Sequence, residues 1–135
     1  MKNILSFLLL VTALALIEPV SGSPARLPGV VENIAAAVRA GNSKLLAAFF
    51  NPTIEVTLPG KEGTFSKVQA EMVMKDFFLR NPASSFTVDQ KGSSAGGSQF
   101  MIGTYKSGNK VFKTYFLLKP AENQLLIQQV QFDAD

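Results

Sequence analysis

Few side chains in this sequence could do acid–base or nucleophilic chemistry. It contains no Cys and no His, which excludes thiolate and imidazole metal sites, Cys nucleophiles and Ser–His triads. The remaining candidates are carboxylates and tyrosine hydroxyls: Glu55, Asp76, Asp89, Tyr105 and Tyr115. Any chemistry is therefore confined to these two groups, and no metal or cofactor is predicted.

The local patterns do not bring these candidates together. Glu55 alternates with apolar residues in a predicted strand, so it should face solvent. Asp76 lies beside the apolar stripe of a predicted helix, and Asp89 shares a polar strand face. Tyr105 and Tyr115 are expected to pack their rings and keep their hydroxyls in water, as amphipathic strand residues do. No catalytic residue is assigned, although Glu55, Asp76, Tyr105 and Tyr115 remain candidates.

The first residues have the pattern of a secretory signal peptide. A short basic start, Met1–Asn3, precedes an unbroken run of apolar or small residues from Ile4 to Ile17. That run is shorter than the roughly 20 residues that span a bilayer as a helix, so an uncleaved anchor is the weaker alternative. We predict residues 1–22 to be removed, with cleavage after Ala25 as an alternative. The product would be periplasmic or extracellular, without a stable membrane anchor.

Residues 23–29 read as a linker, and residues 30–133 as one domain. Three helices are predicted in its first half. An apolar stripe from Val31 to Val38 ends at Gly41, and a short second helix runs from Lys44 to Phe50. The third begins at a capping box of Ser66 and Gln69. Its apolar face comprises Ala70, Val73, Met74, Phe77 and Phe78, and Asn81-Pro82 ends it.

Five strands complete the predicted order. The first, residues 53–58, alternates cleanly and leads into a type II turn at Pro59-Gly60. After the third helix the predicted strands are 85–89, 99–106, 110–119 and 124–132, and Gly103 inside the second of these indicates a bulge or bend. The order α-α-β-α-β-β-β-β predicts an α+β fold in which a curved antiparallel sheet holds helices on its concave face.

Several segments resemble the domain of unknown function 4783 family of small exported bacterial proteins, over roughly residues 30–132. They are Ala40-Gly41-Asn42, Phe49-Phe50-Asn51, Pro59-Gly60-Lys61-Glu62-Gly63, Phe77-Phe78 with Asn81-Pro82, Tyr115-Phe116-Leu117-Leu118 and Ile127-Gln128-Gln129. The element order also resembles the nuclear transport factor 2-like, or cystatin-like, cone shared with ketosteroid isomerases. The resemblance implies that this chain adopts the cone fold and is exported. Isomerase relatives use an acidic base with a Tyr hydroxyl, but no catalytic role can be transferred residue by residue.

The last two predicted strands are apolar on both faces. Phe112, Phe116 and Leu118 oppose Val111, Tyr115 and Leu117. In the last strand Leu126, Val130 and Phe132 oppose Leu125 and Ile127. A sheet covered on one side only should have a polar second face. We therefore expect the outer face to meet a partner, and the fold resemblance implies a sheet-to-sheet homodimer. A longer helix or loop covering that face is the alternative.

These features predict a non-catalytic module that binds a small apolar ligand or a protein partner. The 11 Phe residues supply an apolar interior, and the candidate ligand contacts are Phe77, Phe112, Phe116 and Gln128. A small metal-free isomerase or dehydratase using a carboxylate and a Tyr is the alternative function. Nucleic acid is not a predicted partner, because the net charge is only +3 and the lysines are scattered. The loop from Pro59 to Gly63 lacks the spacing of a phosphate-binding loop.

Overall fold

A computed structural model describes residues 29–135; the predicted signal peptide and all but the last residue of the predicted linker lie outside the described residues. The helices are α1 (Val30–Arg39), α2 (Ser43–Ala47) and α3 (Lys67–Arg80). The strands are β1 (Phe50–Leu58), β2 (Lys61–Ser66), β3 (Ser85–Ser93), β4 (Gln99–Ser107), β5 (Lys110–Ala121) and β6 (Gln124–Ala134). A 3₁₀ turn at Ala95–Gly97 joins β3 to β4.

All six strands form one curved sheet in the order β2-β1-β6-β5-β4-β3. Only β1 and β6 pair in parallel, and every other pair is antiparallel. The buried side chains of the helices and of the inner sheet face form one core. The predicted α+β cone is therefore confirmed. Within residues 29–135, no helix has the length and apolar character needed to cross a bilayer.

The edge strand β2 was not predicted from the sequence. It occupies residues expected to belong to a connecting turn, and Ile54 of β1 pairs with Phe65. Phe65 is half-buried and the other residues of β2 are exposed, so the strand lacks the apolar alternation that reveals strands in sequence. Pairing with β1 makes it a strand, and the Pro59-Gly60 turn allows that pairing, since Gly60 has the positive φ of +79° that a type II turn requires.

The second helix ends earlier than predicted. The Asn42 side chain caps it by accepting a hydrogen bond from the backbone N–H of Leu45 at 2.9 Å. The helix stops at Ala47 instead of Phe50 because Phe50 joins β1 and pairs with Ile127. The backbone N–H of Ile127 also donates to the carbonyl of Phe49 at 2.7 Å. Hydrogen bonding to a strand almost 80 residues away therefore overrides the local helical pattern.

A bulge in β6 changes which apolar side chains face the core. Leu117 pairs with Gln129, whereas Leu118 pairs with Ile127, so Gln128 is the extra residue. The bulge places Ile127 inside the core and leaves Leu126 half-exposed. The prediction that Leu126 shares a face with Val130 is wrong, because simple alternation fails across an inserted residue.

The irregularity predicted near Gly103 lies on the neighbouring strand. Gly103 pairs with Val88 and Ile102 pairs with Gln90, which leaves Asp89 as the extra residue of β3. A Cβ atom on Gly103 would lie 2.6 Å from the carbonyl oxygen of Thr87. The glycine is required because β3 folds tightly against β4 at this point.

A candidate ligand-binding cleft

The space between α3 and the sheet is filled by aromatic rings. They belong to Phe77, Phe78, Phe86, Tyr105, Phe112, Phe116 and Phe132. Phe77 is central, since its ring centroid lies 4.8 Å from that of Phe132 and 5.2 Å from that of Phe112. These separations are typical of favourable edge-to-face or tilted aromatic pairs. The middle of the cone is thus a packed core.

An open cleft of about 1060 Å³ lies at one end of this core. Its walls are the second half of α3, the turn between β1 and β2, and the turn between β4 and β5. The apolar lining residues are Leu58, Met72, Val73, Phe77, Val111 and Phe112. The charged lining residues are Lys61, Asp76, Arg80, Lys110 and Asp135. Apolar and polar groups contribute about equally to the surface of the cleft. Concave surfaces of this kind are the usual location of small-molecule sites.

Local signals at both ends of α3 position the helical wall of the cleft. The predicted capping box is present: Ser66 Oγ accepts from the backbone N–H of Gln69, and the Gln69 side chain accepts from the Ser66 backbone N–H. At the other end both the backbone N–H and the side-chain Nδ2 of Asn81 donate to the carbonyl of Phe77, at 2.8 and 3.2 Å. The helix therefore ends at a fixed point beside the cleft.

Asn81 connects the core to the cleft. The Tyr105 hydroxyl donates to the backbone carbonyl of Asn81 at 2.6 Å. On the cleft side, Lys110 Nζ donates to Asn81 Oδ1 at 3.1 Å. Asn81 is itself buried, so its side-chain amide is held between the helix end and the lysine. This hydrogen bond places the ammonium group of the exposed Lys110 at the cleft wall.

Tyr105 does not occupy the environment predicted for it. We expected its hydroxyl to lie in water, but the whole residue is 0% exposed and the hydroxyl donates inside the core. Burial raises the pKa of Tyr105 from 10.0 to about 12. A hydroxyl engaged with a backbone carbonyl in this way is a structural group and is not oriented toward the cleft.

We expect the burial of Tyr105 to make folding sensitive to alkaline pH. The hydroxyl ionises near pH 10 in the unfolded chain and near pH 12 in the folded chain, so unfolding between these values releases a proton. Its contribution to the free energy of unfolding is complete below pH 10 and is lost as the pH rises toward 12. The loss is about 2–3 kcal/mol for a shift of this size.

Urea denaturation of the wild type and Tyr105→Phe at several pH values tests this expectation. The difference in free energy of unfolding should shrink between pH 10 and 12, because the variant lacks the ionising group. The two proteins share every other side chain, so the difference isolates the Tyr105 hydroxyl. A difference that stays constant over this pH range would contradict the burial of the hydroxyl.

The acid–tyrosine pair that the alternative isomerase function would need is not assembled among these candidates. Asp76 lies at the rim of the cleft, where its carboxylate is 3.1 Å from Nε of Arg80 and both side chains are largely exposed. Glu55 and Tyr115 lie on the outer sheet face. Asp89 is exposed and accepts from the Thr104 hydroxyl at 2.6 Å. The isomerase alternative needs a carboxylate inside the cone, and none of these three acids is there.

The four predicted ligand contacts are divided between different surfaces. Phe77 and Phe112 line the cleft, Phe116 is completely buried, and Gln128 lies in a separate groove on the outer sheet face. Sequence reasoning missed Asn81 and Lys110 as site residues. Asn81-Pro82 was interpreted only as a helix end, and a single lysine at the start of a strand carries no distinguishing pattern.

The predicted apolar character of the outer sheet face is confirmed for β5 but is wrong for β6, where Gln129 and Gln131 lie on that face. Phe100 and Ile102 of β4 pair with Leu117 and Tyr115 of β5, and all four are half-buried. A row of polar residues on β6 borders this patch, with Gln129 beside Leu117 and Gln131 beside Tyr115. Among residues 29–135 the helices pack on the opposite, inner face. The outer patch comprising Phe100, Ile102, Tyr115 and Leu117 is therefore uncovered in the described part of the chain.

The curved sheet with helices on one side defines the class of protein as a nuclear transport factor 2-like, or cystatin-like, α+β cone. A putative ketosteroid isomerase from Kribbella flavida is similar in fold, with a TM-score of 0.55 at 11% identity. The similarity covers 78% of this chain and 74% of the isomerase chain, and it concerns the fold alone. No match was found among curated proteins.

A family model described as Domain of unknown function (DUF4783) matches residues 31–133, and the chain belongs to this family. Two solved family members support the assignment. The protein from Bacteroides uniformis is 26% identical with a TM-score of 0.75, covering 79% of this chain and 98% of that one. The protein from Bacteroides ovatus is 28% identical with a TM-score of 0.73, covering 81% and 96%. The predicted family is thus confirmed.

Proposed function

We propose that this protein is a non-catalytic module that binds a small, largely apolar ligand in the cleft between α3 and the two hairpin turns. The observation that carries the proposal is the cleft itself. Its volume of about 1060 Å³ is slightly above the usual range of roughly 300–1,000 Å³ for small-molecule pockets. The rings of Phe77 and Phe112 form part of its floor.

The surroundings of the cleft favour binding over acid–base chemistry. The Tyr105 hydroxyl donates its hydrogen bond to the backbone carbonyl of Asn81. The nearby Asp76 carboxylate is paired with Arg80 and exposed. A general base needs a pKa near the working pH and a position within hydrogen-bonding reach of the substrate proton. The apolar floor, by contrast, stabilises a ligand by about 0.8 kcal/mol for each methylene that it removes from water.

Single-tryptophan variants can locate the ligand, because the native sequence contains no Trp. Met72 lines the cleft and is 55% exposed, so Met72→Trp should place an indole there without disturbing the core. Titration with dodecanol, an uncharged amphiphile, should shift the emission of this variant to shorter wavelength and saturate. The shift is expected because the ligand displaces water from the indole.

Val68→Trp is the matched control. Val68 lies four residues away on the same helix, is 71% exposed, and does not line the cleft. Its emission should not respond to dodecanol below the solubility limit. Equal responses of the two variants, or no saturable response of Met72→Trp, would contradict a ligand site in this cleft.

We propose as a second function that two copies associate through the outer sheet face. The uncovered patch of Phe100, Ile102, Tyr115 and Leu117 supports this proposal. Contiguous apolar groups on a sheet face that no helix covers are typical of interaction surfaces. The polar row of Gln129 and Gln131 would form the rim of such an interface, where polar residues are common.

Light scattering at micromolar concentration tests the dimer. The wild type should have twice the mass of one chain, and Leu117→Lys should have the mass of one chain, because the substitution places a charge in the middle of the apolar patch. Leu79→Lys, on the exposed face of α3, is the matched control and should remain dimeric. A monomeric wild type would contradict the proposal.

We also propose that binding takes place after export, since the first residues have the pattern of a signal peptide. N-terminal sequencing of the protein recovered from outside the cytoplasm should begin at Ser23, or at Arg26 if cleavage follows Ala25. A sequence beginning at Met1 would contradict cleavage and favour an anchored protein.

A further inference from the structure

The charged side chains around the cleft are not all paired with one another. Its lining holds three cationic side chains and two carboxylates, namely Lys61, Arg80 and Lys110 against Asp76 and Asp135. Arg80 and Asp76 neutralise each other locally, since their side chains pair at 3.1 Å along one face of α3. Lys61 and Lys110, on opposite hairpins, make no ion pair within residues 29–135.

Lys110 is the better positioned of these two cations. Its Nζ is held by the neutral oxygen of Asn81 at 3.1 Å. Within residues 29–135 it makes no ion pair, although Asp135 lies near β5 through the hydrogen bond from its backbone N–H to the carbonyl of Val111. An ammonium group donates three hydrogen bonds, and the bond to Asn81 uses one of them. The others are available to an acceptor in the cleft.

The apolar floor lies directly beside this ammonium group. Val111 and Phe112 follow Lys110 in β5 and line the same cleft. Phe77 connects the floor to the helix end that holds Asn81. A ligand with an apolar body on Phe77 and Phe112 would therefore place its polar end near Lys110.

We propose that the cleft selects amphiphiles whose polar end is an anion, with Lys110 as the residue that recognises the charged head. The proposal rests on the ligand-binding function above and specifies the chemical class of the ligand. Charge-assisted hydrogen bonds to an ammonium group are stronger than those between neutral partners, so an anionic head should bind more tightly than a hydroxyl. Lys61, on the opposite hairpin, adds a second positive charge at the rim.

Isothermal titration calorimetry with three probes of equal chain length tests this selectivity. Dodecanoate, dodecanol and dodecylammonium are each added to the purified protein below their micelle-forming concentrations. Dodecanoate should bind about tenfold more tightly than dodecanol, a ratio that corresponds to about 1.4 kcal/mol. Dodecylammonium should bind more weakly than dodecanol, because like charges repel at the rim.

Lys110→Met should bring the affinities for dodecanoate and dodecanol close together, because the variant lacks the ammonium group that favours the charged head. Lys113→Met is the matched control: Lys113 lies three residues along the same strand, is exposed on the outer face, and does not line the cleft. It changes the net charge equally and should preserve the tenfold ratio. Lys61→Met should reduce the ratio partially, which gives a second variant if Lys110→Met is poorly folded.

The outcomes separate the two proposals. If the wild type binds dodecanoate and dodecanol equally, anion selection is wrong and the ligand-binding function stands. If Lys110→Met and Lys113→Met lower the ratio by the same factor, the effect is one of overall charge and the role of Lys110 is wrong. If no probe binds, the proposed ligand-binding function itself is wrong.

Discussion

Replacement of Phe77 by Ala will lower the free energy of unfolding by about 3–5 kcal/mol, the range for truncating a buried aromatic residue. The Phe77 ring lies within 6.0 Å, centroid to centroid, of four other rings: those of Phe78, Tyr105, Phe112 and Phe132. Its loss leaves a cavity that the surrounding strands cannot close without moving. Urea denaturation monitored by circular dichroism measures the change.

Leu79→Ala is the control for the effect of α3 itself. Leu79 lies two residues along the same helix and is 71% exposed. Removal of its side chain should change the free energy of unfolding by no more than about 0.5 kcal/mol. Similar losses in the two variants would contradict a central role for the aromatic cluster.

Gly103→Ala should be almost as damaging although it adds only one methyl group. The new Cβ would lie 2.6 Å from the backbone oxygen of Thr87 and 2.8 Å from the ring of Phe86. A backbone atom cannot turn away as a flexible side chain can, so β3 must move relative to β4. We expect a loss of about 3 kcal/mol, the upper part of the range for overpacking a core.

Gly92→Ala provides the comparison. Gly92 also lies in the paired region of β3 and β4, but its new Cβ would meet only the end of the Phe100 ring, at 2.9 Å, on the outer sheet face. The end of a side chain can shift without moving the backbone, so the loss should remain below about 1 kcal/mol. Denaturation midpoints that fall equally in the two glycine variants would contradict the close approach at Gly103.

Helix α3 shows how far local sequence signals go. Its start was predicted from the capping box of Ser66 and Gln69, and its end from Asn81-Pro82. The positions of β4, β5 and β6 were also predicted, because alternating or continuous apolar runs end at recognisable turns. In each case the signal depends on residues a few positions apart.

Strand β2 and the bulge at Gln128 show where those signals stop. β2 is exposed along nearly its whole length, so its sequence resembles a loop, and only pairing with β1 makes it a strand. Because of the bulge, Ile127 faces the core and Leu126 does not. Simple alternation along the strand predicts the opposite. Both depend on hydrogen bonds between strands and not on the preference of a short segment.

The candidate cleft was predicted only in part. Phe77 and Phe112 were proposed as ligand contacts from their positions on apolar faces, and both line it. Asn81 and Lys110 were not proposed, because the hydrogen bond between them joins residues 29 positions apart. The sequence predicts that the Tyr105 hydroxyl lies in water. Nothing in its own strand indicates that it donates a hydrogen bond to the carbonyl of Asn81.

The sequence by itself determined which chemistry is impossible, the α+β class, the family, and most helices and strands. These properties depend on composition and on contacts between near neighbours, which a sequence displays directly. Only the tertiary structure decided that the centre of the cone is filled, that the cleft lies at its end, and that Lys110 is positioned at its wall. The lining residues come from separate parts of the chain, namely residues 58–61, 72–81, 109–112 and 134–135. These segments meet only when the sheet curves around α3.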